Sequence, residues 1–508
     1  MDSKIGIMRR VFLRLIVGVI AMIFQVHKVN ANNLVFSQLV VEDDSHLNFT
    51  VSWDNSWTEH NHLNHDAVWV FVKYQVNGSE WRSLKLSPVS ENHSTTDSGL
   101  EVLGVEDSMG VFIKQKSTGN STFIVSANFR IGLAQPLNQG SYSFQLFGIE
   151  MVYIAEGDFL LGDGISNHTF KDSLSGAPIS VQNNPTPLGI GNNQLWTGFS
   201  NSIQQIPASY PSGWKAFYCM KYEISQSQYM TFLNCLTLAQ QTTRIVMPPT
   251  SPAGTFCMNS TGNLANRNSL VISQSSDGIN PAQFACNLNT TNGFNEWDDG
   301  QNLAMNFLSW SDLVAYLDWS GLRPITEMEF EKICSEGVDK VIPLGFAWGT
   351  AFSVDGNTLQ LDGTPAETVQ EIANDTAGLA NHGYSGVQGP LRCGFGANQS
   401  NLRLQAGASV TGVMELSGNL WELCVATNDF GFQFGTLSGD GKLDEQGQAD
   451  QAFWYPNAEN AIYRGGAWLS GVTGSFRDLA VADRFYLNLR PSFRRNTTGG
   501  RGGRSVTW

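Results

Sequence analysis

The chain has 508 residues, of which 42% are hydrophobic and only 15% charged, and its formal net charge is −15. That length exceeds one ordinary core and points to two or three domains, while the acidity excludes nucleic acid as a partner, because phosphate contacts need clustered Lys and Arg. Low charge combined with 51 Gly and abundant Asn and Ser suits a loop-rich, β-rich extracellular protein.

Residues 1–31 have the order of a secretory signal peptide: Lys4, Arg9, Arg10 and Arg14, then the apolar run "LIVGVIAMIF" over 15–24, then a small-residue site ending at Ala31. The run is too short to span a bilayer, which takes about 20 residues, and no other segment is long and apolar enough. The mature chain is expected to begin near Asn32, to be secreted or held at the cell envelope, and to keep no transmembrane segment after signal removal.

Over 32–147 the pattern is short alternating runs rich in Val, Phe, Trp and Thr, such as "HLNFTVSW" (46–53), "DAVWVFVKYQV" (66–76) and "STFIVSANFRI" (121–131), separated by Asn/Gly/Ser turns. These predict an antiparallel β-sandwich of the immunoglobulin or fibronectin kind. His60, His62 and His65 in "EHNHLNH" could gather a metal, but the stretch reads as a solvated loop between strands.

From 148 onward helices appear among loops. "SQSQYMTFLNCLTLAQQ" (225–241) begins on a Ser cap and places Tyr229, Phe232 and Leu233 on one face. The spacing predicts a second helix over 309–321, with Ser311 as N-cap and Gly321 as C-cap, and a third over 325–337, opened by the Thr326–Glu329 capping-box pair. A polar insertion occupies about 242–300, and beyond 338 Gly, Asn and Trp dominate with few periodic runs. The tail 497–508 is Gly-rich and basic, and is expected to be mobile. Seven cysteines (219, 235, 257, 286, 334, 393, 424) form no CxxC pair, which argues against zinc. Export makes disulfides possible, and a Cys257–Cys286 bond would constrain the insertion between them; the odd count leaves at least one thiol unpaired in a monomer.

Seven stretches, in order, resemble the sulfatase-modifying-factor domain of the formylglycine-generating enzymes: "MVYIAEGDFLLGDG", "FYCMKYEISQSQYMTFLN", "NFLSWSDLVAYLDWSGLRPITEMEFEKI", "FAWG", "GVMELSGNLWELC", "RGGAW" and "RPSFRR". The likeness assigns 148–496 to that domain. It implies an irregular α/β fold related to C-type-lectin-like domains. It also implies a copper-binding cysteine pair just after the "RGGAW" turn, where this chain has Ser470 and Ser475. A serine hydroxyl binds Cu(I) poorly and forms no disulfide, so copper is not expected. A second branch of the family is similar to iron-dependent sulfoxide synthases. Those need a three-histidine site, and only His168 and His382 fall within the matching region.

The likeness further implies a structural calcium site in "ELSGNLWE", built from Glu415, Gly418, Leu420 and Glu422, the hard oxygen donors that Ca²⁺ requires. A second family calcium site has no counterpart in 379–395. Glu327, Glu329 and Glu331 read as structural: Glu329 caps, and Glu327 and Glu331 share a solvated face or pair with Arg323. Arg464, Arg477, Arg484, Arg490, Arg494 and Arg495 are the densest basic cluster; internal ion pairing is the simpler account and a ligand groove the sharper one. The expected function is an exported, non-catalytic, calcium-stabilised protein presenting a surface to a protein or a glycan. The alternative is an oxidoreductase of the formylglycine-generating, sulfatase-maturing type acting on a protein cysteine.

Overall fold

The computed structural model describes residues 34–506 except 59–63, 117–120, 292, 336, 338–339, 384–385, 398–400 and 472–476. The signal segment, His60, His62 and Ser475 therefore lie outside the described residues. The described chain is mostly β, with 31% strand and 9% helix.

Strands Val35–Asp43, His46–Thr58 and Ser121–Gly132 pair antiparallel. Alternation along His46–Thr58 turns Leu47, Phe49, Val51 and Trp53 inward, where they meet Val68, Val70 and Val72 of strand His65–Val76. The opposite face of that strand, Ala67, Trp69 and Phe71, enters a different core shared with Trp319 and Met151. Both faces of "DAVWVFV" are thus covered, which is why the run is continuously apolar instead of alternating.

Strand Tyr142–Ile154 pairs with His65–Val76 from Tyr142 to Tyr153, and its last four residues also pair with Phe217–Met220. The sheet continues through Gly502–Ser505 to Arg323–Pro324. Two expectations change here. The boundary drawn at 147/148 falls inside a strand that belongs to both parts. The tail read as mobile supplies an internal strand, one in from the sheet edge, with Arg501 and Arg504 buried, because its glycines let the chain pass closely between neighbours.

Polar contacts weld the same junction. The buried Lys73 Nζ donates to Trp319 O (2.6 Å), Ser83 Oγ (2.8 Å) and Gly441 O (3.1 Å), and lies 4.7 Å from the Trp319 ring. Burial pushes its ammonium down to about 7. Trp69 Nε1 donates to Ser320 O at 2.9 Å, and the Arg504 guanidinium sits 4.3 Å from the Trp69 ring.

The first predicted helix is two, Gln226–Asn234 and Leu238–Arg244, because Thr237 opens its own capping box with Gln240. Helix Trp310–Trp319 is capped by Ser309, not Ser311: Ser309 and Asp312 make the reciprocal pair, while Ser311 Oγ donates to Gln448 Oε1 at 2.6 Å. Thr326 and Glu329 form their box as expected at helix Glu327–Ile333. All seven cysteines are free thiols. Cys257 and Cys286 cannot bridge: Cys257 N–H donates to Leu270 O, and Leu270 pairs on its other side with Cys286, so a strand separates them.

Candidate functional site

The motif 415–422 makes a turn of unusual backbone. Glu415 (φ 57°), Gly418 (φ 93°) and Asn419 (φ 61°) are all left-handed. A Cβ at Gly418 would meet Asn381 O at 2.7 Å, so only glycine fits. Gly418 N–H donates to Gly465 O, tying this turn to "RGGAW". Glu415 Oε1 accepts from Gly394 N–H at 3.0 Å, and Glu422 Oε1 is ion-paired with Arg501 at 2.6 Å. Glu223, which the sequence reading did not single out, accepts from Leu420 N–H at 3.0 Å and from the Asn419 side chain.

Three fully buried carboxylates, Glu223, Glu415 and Glu422, thus surround one buried guanidinium, Arg501. Burial pushes Glu415 up to about 7 and raises Glu223 and Glu422, with Arg501 opposing each. Glu415 Oε2 and Glu422 Oε2 are buried without a hydrogen-bond partner among the described residues.

Glu327 and Glu331 are not on a solvated face. Both are buried, and their partners are Arg464 and Arg484. Glu327 accepts from Arg484 Nε (2.7 Å), Arg464 (3.0 Å), and the Thr427 N–H (2.7 Å) and hydroxyl (2.8 Å). Burial works against its charge, yet Arg484 and Arg464 outweigh it and hold the carboxyl below the usual range. Arg323 pairs with Glu329 at 2.7 Å, and Arg494 with Asp312 at 2.6 Å. Internal pairing therefore accounts for Arg464, Arg484 and Arg494. Arg490 is 3.8 Å from Glu459, and Arg477 and Arg495 are exposed.

"RGGAWLS" is a tight turn. Gly465 and Gly466 are left-handed, and a Cβ on Gly465 would lie 2.5 Å from Leu416 O. Ser470 is buried: its Oγ accepts from Ala467 N–H (3.0 Å), its N–H donates to Ala467 O (2.8 Å), and its carbonyl accepts from Gly383 N–H (2.7 Å). Beside it opens a cavity of about 780 Å³, lined among others by Trp421, Tyr463, Tyr486, Asp478 and Arg495. Among the described residues lining it there is no cysteine or histidine. Tyr463, Tyr486 and Asp478 had no motif to mark them; composition alone does not bring 421, 463, 478 and 486 together.

The other candidates fall elsewhere. His65 is a buried strand residue stacked on Tyr153 at 4.7 Å, with Nε2 3.1 Å from the Tyr218 hydroxyl. His382 Nε2 is 3.0 Å from Ser353 Oγ. Asp318, Asp440 and Asp450 bring carboxylate oxygens within 4.8 Å of one another. Asp318 there accepts the N–H groups of Asp440 and Asp450, clamping the loop that Lys73 also holds.

No curated protein matches the chain closely enough to count as a relative. The family model of the sulfatase-modifying factor enzyme 1-like domain matches residues 148–504, ending on the buried strand Gly502–Ser505 and spanning Glu223, the 415–422 turn and the Ser470 cavity. Through that match, over more than half of its length, the chain belongs to the sulfatase-modifying factor enzyme 1-like family.

Proposed function

We propose that this protein is an exported, non-catalytic member of its family: an immunoglobulin- or fibronectin-like β-sandwich joined to a calcium-stabilised, lectin-related domain that presents the cavity beside Ser470 to a protein or a glycan. The carrying observation is Ser470 itself. The position that would need a thiolate for copper redox chemistry holds a hydroxyl, whose oxygen accepts the Ala467 N–H inside the turn. Every cysteine lies upstream of residue 425 in sequence, and burial pushes Cys219, Cys235, Cys257 and Cys286 up to about 12, far from thiolate at neutral pH.

Calcium fits the donor set. Three buried carboxyl groups share one guanidinium, burial favours their protonated forms, and a divalent cation would take the place of those protons; Glu415 and Glu422 each keep a buried oxygen without a partner among the described residues. Glu415, Glu422 and the backbone carbonyls of Gly418 and Leu420 would hold the ion. Its contribution is structural, drawing together the 415–422 turn and the segments packed on it.

The second reading, an oxidoreductase maturing sulfatases by oxidising a protein cysteine, is favoured by the cavity that persists beside Ser470. The deciding experiment supplies folded, calcium-loaded protein with copper, oxygen and sulfatase-type cysteine peptides, and reads the product by mass spectrometry. Unchanged peptide is expected; an aldehyde product would establish the second reading.

A further inference from the structure

Resting on the non-catalytic reading above, we infer that the cavity beside Ser470 is a saccharide site, selective for neutral sugars. Three rings from separate segments form its wall. Trp421 meets Tyr486 at 5.1 Å and 81° and Tyr463 at 6.0 Å and 77°, and the two tyrosines meet at 6.1 Å and 65°. Such edge-to-face packing fixes the rings against one another. Tyr486, the half-buried member, offers apolar surface to the C–H face of a sugar ring at little entropic cost, held in place by the buried Trp421 and Tyr463 behind it. Phe485, 57% exposed, extends the wall outward by packing on Tyr486 at 5.1 Å.

Two polar atoms set into this wall have no close hydrogen-bond partner among the described residues, Arg495 and Ser470 being the polar neighbours that act on them: the hydroxyl of Tyr463, a residue only 3% exposed, and Asp478 Oδ1. Leaving such a buried atom unpaired costs about 1–3 kcal/mol, which a ligand donor or acceptor at that point would recover. Both residues line the cavity. Asp478 accepts only, whereas the tyrosine hydroxyl both donates and accepts. A ligand carrying several hydroxyl groups meets both requirements at once.

Charge narrows the class further. Asp478, whose carboxyl burial raises against the opposing influence of Ser470, faces the cavity from one side. Arg495, whose positive charge acts on Tyr463, faces it from another, and Arg494 is committed to Asp312. A cation would meet Arg495 and an anion would meet Asp478. A neutral polyol meets neither penalty. The volume, about 780 Å³, falls in the ~300–1,000 Å³ range of small-ligand sites and leaves room for more than one sugar ring.

The test uses the exported chain, residues 32–508, calcium-loaded, on an array of neutral oligosaccharides ending in glucose, galactose, mannose or N-acetylglucosamine. Sulfated and sialylated glycans and a displayed peptide library run beside them. The expected result is retention on at least one neutral glycan, competed by the free sugar. Tyr463→Phe and Asp478→Asn should each weaken it about tenfold, the equivalent of one hydrogen bond, without moving the melting temperature. Silence of every neutral glycan, binding confined to charged glycans or peptides, or binding indifferent to both substitutions overturns the inference. Those results leave the non-catalytic reading standing if cysteine peptides remain unconverted; conversion of the peptide is the separate outcome that removes that reading.

Discussion

Replacing Glu327 by Gln removes one charge from a site where water cannot compensate. Its carboxylate takes five hydrogen bonds, two from Arg484 (2.7 and 2.9 Å), one from Arg464 (3.0 Å) and two from Thr427 (2.7 and 2.8 Å). All three charged groups are 0% exposed. The amide keeps one acceptor oxygen and turns its NH₂ toward guanidinium donors. Arg464 retains Glu331, but Arg484 loses its only ion-pair partner among the described residues. Breaking a buried pair on one side costs about 3–5 kcal/mol. Taking ~2.1 cal/mol/K per residue over roughly 475 residues that unfold together, the melting temperature should drop by about 3–5 °C. Urea unfolding followed by tryptophan fluorescence gives the free energy directly, through a lower midpoint at unchanged slope. Adding Arg484→Met should recover part of the loss, because the orphaned cation is then gone. A loss under about 1 kcal/mol, or a double variant no better than the sum of its parts, refutes the reasoning.

Chelation should lower the melting temperature of the wild type, by the equivalent of about 2.7 kcal/mol when calcium had been at 100 times its Kd, and should leave a Glu415→Gln/Glu422→Gln variant unmoved; differential scanning calorimetry with and without EGTA decides it. Asp66, fully buried between Ser56, the Trp57 N–H and Trp53, is pushed up by burial to about 6. The folded state then holds its proton more tightly than the unfolded chain, so stability is fully present below about pH 4 and falls as pH rises through 6, by roughly 3 kcal/mol. Relative to wild type, Asp66→Asn should gain stability across that window in urea titrations at successive pH values; a flat difference sinks the assignment. Ellman's reagent should find almost no reactive thiol in native protein and seven in unfolded protein without any reductant; fewer than seven would reveal a disulfide.

The sequence made the scaffold legible wherever local chemistry decided the outcome. Ser225–Gln228 and Thr326–Glu329 are capping boxes that need no tertiary information, and both formed. Ser309 was missed in favour of Ser311 because an Asp at the third helical position closes the box as well as a Glu does. Glu327 and Glu331 were misread because helical spacing gives their shared face but not what covers it; the cover comes from Arg464 and Arg484, more than 130 residues away. The tail was misjudged by composition: "GGRGGR" has the look of a linker, whereas Gly502 and Gly503 are small because Leu317 and Ile325 press on them. The motif at 415–422 was visible, but Glu223 and Arg501, which fix its charge, were visible only in three dimensions.

The strand Tyr142–Ile154 has a consequence for anyone cutting the gene. A piece beginning at residue 148, where the family likeness starts, would keep Met151–Ile154 paired to Phe217–Met220 while stripping away the whole of His65–Val76 on the other side. The row of N–H and C=O groups so exposed is an open sheet edge, and Trp69 and Phe71 would no longer cover the apolar surface around Trp319. Open apolar edges recruit other copies of themselves. The N-terminal strands serve the rest of the chain as a built-in chaperone for that edge, and a shortened version should emerge from expression as aggregate unless it is supplied with them in trans.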